Sequence, residues 1–143
     1  MRRALGVAAV TLSTMLLASA CDSNESTDEG GPDHTPVRVV FAVNGTQITG
    51  DTLFLPAGQT VTVRGTFYNA ADDDLDDVET THFSKLTFNP GTLGTATVDL
   101  NAHYTHSVQV QGAATSTGTV DVGYGHDELA DEHTLTGIPV KIQ

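Results

Sequence analysis

Histidines and carboxylates in a few short stretches carry the chemistry available to this 143-residue chain. His126-Asp127-Glu128 and Asp131-Glu132-His133 flank Leu129-Ala130. That pattern predicts a hairpin centred between Leu129 and Ala130, which pairs Tyr124 with Leu135 and His126 with His133. Directly paired residues hold their Cβ atoms ~4.5–5.5 Å apart, so two imidazoles placed this way can share one ion, with Asp127 or Glu132 beside them. Imidazole with carboxylate suits zinc, and also copper, nickel or iron. His82 and one of His103 and His106 are the further ligands expected. Those last two are three positions apart, so on a regular strand they face opposite sides. His106 shares the phase of Val108 and Val110 and belongs at the core rim, which leaves His103 for the site.

A second acid-rich stretch holds Asp72, Asp73, Asp74, Asp76, Asp77 and Glu79. Asp72, Asp74 and Asp76 imitate the opening of an EF-hand loop, but Asp77 stands at its glycine position and Phe83 at its closing glutamate, so that motif fails. A looser oxygen-only calcium site is one use of such a loop. A solvated acidic surface that holds no metal and keeps the protein soluble is the other. The chain has no Gly-x-Ser-x-Gly, no His-Glu-x-x-His and no phosphate-cradling glycine loop, and is therefore read as non-enzymatic.

The elements that must position these residues are strands. Val37 to Val43 is nearly continuous in apolar residues and ends at Asn44-Gly45, a hairpin signal with a short return through Gln47-Ile48. Thr52 to Leu55 follows, closed by Pro56-Ala57-Gly58. Gln59 to Asn69 alternates, with Val61, Val63 and Phe67 on one face and Thr60, Thr62, Arg64 and Thr66 on the other. Ser84–Phe88, Thr95–Leu100, His103–Gln111, Thr117–Tyr124 and His133–Ile142 complete the series, the last carrying Gly137 and Pro139, which mark a bulge or an edge. Only Ala70 to Thr81 has room for a helical turn. Seven or eight short strands at this spacing predict an all-β fold, a single antiparallel sandwich over residues 37–143.

Three segments resemble bacterial immunoglobulin-like domains of the group-2 kind: Leu55-Pro56-Ala57-Gly58-Gln59-Thr60-Val61-Thr62-Val63, Leu93-Gly94-Thr95-Ala96-Thr97-Val98 and Ser116-Thr117-Gly118-Thr119-Val120-Asp121-Val122. The resemblance implies an immunoglobulin-like sandwich with an adhesive or spacer role and no catalytic residues. The acidic loop at 70–82 and the stretch at 125–133 depart from that family. If successive strands reverse direction, the loops at 70–82, 100–102 and 125–132 emerge at one end. Ten of the eighteen acids and five of the six histidines then share that end, while the loops at the other end carry no charge.

Ahead of this domain lies a leader. Residues 1–20 begin with Arg2-Arg3, continue through an apolar stretch and contain no acid, the layout of a secretory signal peptide. Cys21, the one cysteine of the chain, follows Leu17-Ala18-Ser19-Ala20. This run resembles the lipobox of bacterial lipoproteins, with Ala18 where that family prefers leucine. The resemblance implies cleavage before Cys21 and acylation of its sulfur, which anchors the protein to a membrane of the bacterial cell envelope, periplasmic or surface-exposed. Asp22 to Pro36 offers no residue fit for a core and is read as a disordered tether spanning on the order of 20 Å, with His34 incidental to it. Loss of the leader takes the formal charge from −12 to −14. Such a chain repels phosphate backbones, so nucleic acid is excluded as a partner and divalent cations or basic proteins are favoured.

Two readings of function follow. One is a lipid-anchored binding or display module; the other is an accessory lipoprotein that captures zinc or a similar cation for uptake. They differ in one feature, because the second requires His126, His133 and His82 to converge.

Overall fold

A strand whose residues alternate between apolar and polar can bury one face only, and two such sheets must close on each other to dry those faces. The computed structural model describes residues 34–75, 82–126 and 130–143, and over these residues the chain forms that sandwich. In chain order the strands are β1 (Arg38–Val43), β2 (Thr46–Gln47), β3 (Leu53–Leu55), β4 (Thr60–Tyr68), β5 (Phe83–Asn89), β6 (Gly94–Asp99), β7 (Ala102–Val110), β8 (Thr117–Gly125) and β9 (His133–Ile142). One sheet has the order β2-β1-β4-β7-β6 and the other β3-β9-β8-β5. With β1, β4, β7 and β6 taken as A, B, E and D, and β9, β8 and β5 as G, F and C, this strand order is consistent with an immunoglobulin-like sandwich.

Alternation places the core. On β4, Val61, Val63 and Phe67 are buried, and the opposing sheet supplies Leu86, Phe88, Val120, Val122, Tyr124, Val140 and Ile142. The β1–β2 turn is set by Asn44 (φ 49°) and Gly45 (φ 79°), the pair of positive φ values that a two-residue hairpin of this twist requires.

Four expectations are corrected. There are nine strands among the described residues, because the return after Asn44-Gly45 and the run at 53–55 each form a short strand of their own. The sheets are not wholly antiparallel, since β3 runs parallel to the end of β9, Leu53 beside Val140 and Leu55 beside Ile142. The one helical turn among the described residues is Gly91–Leu93, and not a turn within 70–75. The end of the expected tether joins the domain: Pro36 is buried, and the Val37 N–H donates to the Tyr68 carbonyl at 2.9 Å.

A bulge in β9 decides the geometry of the tip. The β8–β9 register shifts between Val120 and Val122, where Gly137 takes a φ of 71° and donates its N–H to the Asp121 carboxylate at 2.8 Å. The shift lets Leu135 and Ile138, three positions apart, both lean toward the core. It also moves the register by one residue toward the tip, where Tyr124 pairs with His133 and Val122 with Leu135. The expected pairing of His126 with His133 does not form. Pro139, which has no N–H, lies one residue before β3 joins this strand, an edge position where no donor is needed.

Candidate metal centre

The loops after β4, β6 and β8 meet at one end of the sandwich, as strand reversal predicts, and bring histidines together there. His82 closes the first loop and is buried, although imidazole is seldom so fully enclosed. Its ring stacks on Tyr124, with centroids 4.6 Å apart and planes at 16°. Tyr124 in turn rests on Phe67 (5.0 Å) and Tyr104 (6.0 Å), so an aromatic column rises from the core and ends at His82. His103 fixes the same segment from β7: its Nδ1–H donates to the His82 carbonyl at 3.1 Å, and its ring stacks on Phe83 at 4.0 Å.

The third loop brings the remaining groups. His126 faces His82, with ring centroids 4.0 Å apart. Its Nδ1–H donates to both carboxylate oxygens of Glu132, at 2.7 and 2.8 Å, and its backbone N–H reaches the same carboxylate at 3.3 Å. This hydrogen bond is the main reason why Glu132 lies below the usual carboxylate range; proximity to His82 adds to the effect. One ligand atom each from His82, His126 and Glu132 fall within 4.8 Å of one another. His82 is enclosed, whereas the side chains of His126 and Glu132 are 57% and 42% exposed. The cluster therefore has a rigid buried wall and a solvent-facing side.

The return of this loop depends on two glycines inside β8. A Cβ on Gly123 would lie 2.2 Å from the Ala130 carbonyl oxygen, and one on Gly125 would lie 3.2 Å from the Ala130 Cα. With no side chains at these positions, the Ala130 backbone packs directly onto the strand and carries Glu132 back to His126. Glycine within a strand marks such close backbone approach. Gly123-Tyr124-Gly125 was the legible signal for this loop, and alternation alone passed over it.

His133 does not join the cluster. It pairs with Tyr124, with its ring 6.5 Å from that of the tyrosine. His103 is likewise absent from the group, its Nδ1 being directed at a main-chain carbonyl. His106 is buried in β7, as its phase predicts, and its Nε2–H donates to the Ser84 carbonyl at 3.0 Å. Burial lowers its pKa from the ordinary 6.5. His34, read from the sequence as incidental, stacks beside His82 with centroids 6.2 Å apart.

The described acids of the first loop have other partners. Asn69 is buried and organises a tight turn, its Oδ1 accepting the N–H groups of Ala71 and Asp73 at 2.9 Å. The Asp73 carboxylate accepts from the Asn69 amide at 3.2 Å. Asp72 pairs with Arg38, whose guanidinium also lies 3.9 Å above the Tyr68 ring. Asp74 bridges to Tyr68, and Leu75 drops into the core. These carboxylates do not form a calcium cage among the described residues. Asp76, Asp77, Glu79 and Asp127 lie outside the described residues, as do Cys21 and the leader. No helix among the described residues is long and apolar enough to cross a membrane.

Neither a scan against protein-family models nor a search of curated proteins finds a match to this chain.

Proposed function

We propose that this chain is a non-enzymatic, lipid-anchored module of the bacterial cell envelope whose sandwich tip binds a divalent transition metal, zinc foremost, through His82, His126 and Glu132. The observation that carries this reading is the convergence of two imidazoles and a carboxylate within 4.8 Å, drawn from two separate loops. A display module has no need for such convergence, and its loop histidines would lie apart. Two nitrogens and one oxygen suit zinc, whose bonds of about 2.0–2.2 Å put tetrahedral ligands roughly 3.3 Å from one another. The two exposed side chains supply the modest closure required, and buried His82 gives the fixed point.

A site with one wall open to solvent exchanges its ion, which fits capture and transfer better than permanent structural support. The anchor on Cys21 is supported by the lipobox-like run before it. The net negative charge favours accumulation of cations near the domain. Zinc K-edge absorption on the full chain, purified in detergent, stripped by chelator and reloaded, tests the assignment. One tightly held zinc per chain with at least two imidazole nitrogens is the expected result; zinc removed by a desalting column would refute it.

A further inference from the structure

We propose, resting on the metal reading above, that His34 is the fourth protein ligand, so that metal binding clamps the segment entering the domain onto the sandwich tip. Three ligands leave one position of four-coordinate zinc to be filled. Among the imidazoles near the cluster, His133 pairs with Tyr124, and His103 directs its Nδ1–H at the His82 carbonyl. His34 stands beside His82 with centroids 6.2 Å apart and ring planes at 11°.

That separation is already close to what a shared ion demands. Two imidazoles on one tetrahedral zinc have centroids roughly 5 Å apart, given zinc–nitrogen bonds of about 2.0–2.1 Å. Parallel stacked rings cannot both aim a nitrogen at the same ion, so His34 must turn about its side-chain torsions. The main chain is already held at the tip. Buried Pro36 and the Val37 N–H bond to Tyr68 (2.9 Å) hold the segment a few residues further on, and His34 itself is half-buried against the tip.

The metal-free protein then keeps His34 beside His82 by its stack, and the loaded protein holds it by coordination. Occupancy of the site fixes the point at which the entering segment leaves the domain. It also completes the ligand set while the exposed side of His126 and Glu132 still lets the ion exchange.

Calorimetric zinc titration of the full chain and of His34→Ala, His34→Phe and His126→Ala tests this, with cobalt(II) absorption as a reporter of coordination. The expected result is that both His34 variants weaken zinc binding by at least about tenfold and shift the visible cobalt bands, while His126→Ala abolishes binding. Phenylalanine keeps an aromatic ring for the stack and removes the nitrogens, so restored affinity in His34→Phe would overturn ligation by His34. Unchanged affinity in both variants, with loss in His126→Ala, would overturn this inference and leave the three-ligand site standing. Absence of zinc binding to the unmodified chain would overturn both.

Discussion

His82 and His126 face each other across the tip of the sandwich with ring centroids 4.0 Å apart, one ring buried on Tyr124 and the other largely exposed beside Glu132. An ion bound by both rings and Glu132 would take the place of the proton that His126 now directs at that carboxylate, so metal uptake and proton release are coupled.

If the ion binds the folded chain and not the unfolded one, it must stabilise the fold. At free zinc of 100 times the dissociation constant the gain is about 2.7 kcal/mol. Thermal unfolding of the full chain is expected to show a rise in Tm with zinc that EDTA reverses and that Glu132→Gln reduces. A Tm indifferent to zinc would contradict the site.

Gly123 should be irreplaceable at the loop it supports. Alanine there puts a Cβ 2.2 Å from the Ala130 carbonyl oxygen, a clash of the Cβ with a backbone atom that no rotamer relieves. Gly123→Ala is expected to lower stability by about 1–3 kcal/mol and to weaken zinc binding with it, because Glu132 is carried on the displaced return. A variant with native affinity and native denaturant midpoint would show that the loop does not depend on this contact.

The acidic loop and the metal site should separate cleanly. Asp72 answers Arg38 and Asp73 answers Asn69, so Asp72→Asn with Asp73→Asn is expected to leave zinc affinity within about twofold, the residual change coming from screened long-range charge. A loss comparable to that of His126→Ala would place those carboxylates at the ion.

His106 gives stability a definite pH slope. Its folded pKa is lowered by burial, and its Nδ1 is buried without a hydrogen-bond partner among the described residues. Below the ordinary value of 6.5 the unfolded chain takes up a proton that the folded chain resists. Its contribution is therefore complete above about pH 6.5 and is lost progressively as the pH falls below it. Urea midpoints measured from pH 8 to pH 5 are expected to fall for the unmodified chain and to fall less for His106→Gln, whose amide keeps a donor for the Ser84 carbonyl. Equal slopes would remove His106 as the cause.

Much of this was legible in the residues. The alternation of Val61, Val63 and Phe67, the Asn44-Gly45 turn and the phase of His106 each report a local rule that tertiary packing leaves intact. The gathering of His82, His103 and His126 at one end follows from strand reversal alone. The choice of partners was less visible, because Tyr124, two residues before the expected His126, pairs with His133, and the one-residue shift at the Gly137 bulge accounts for half of that offset. A two-residue difference in register cannot be read from alternation, which repeats every two residues. Buried Leu75 was missed because it lies in a stretch whose charge reads as a solvated loop, and buried Asn69 because alternation makes it only the polar end of a strand. His34 was missed because its neighbours are polar and only the fold carries it to His82.

The most direct test of the central claim is calorimetric zinc titration of the stripped full chain in detergent, comparing His126→Ala with His133→Ala. Submicromolar binding that disappears in His126→Ala and persists in His133→Ala is the predicted outcome. No binding in the unmodified chain, or heats that neither substitution alters, would contradict it and leave the tip as a solvated surface of a display module.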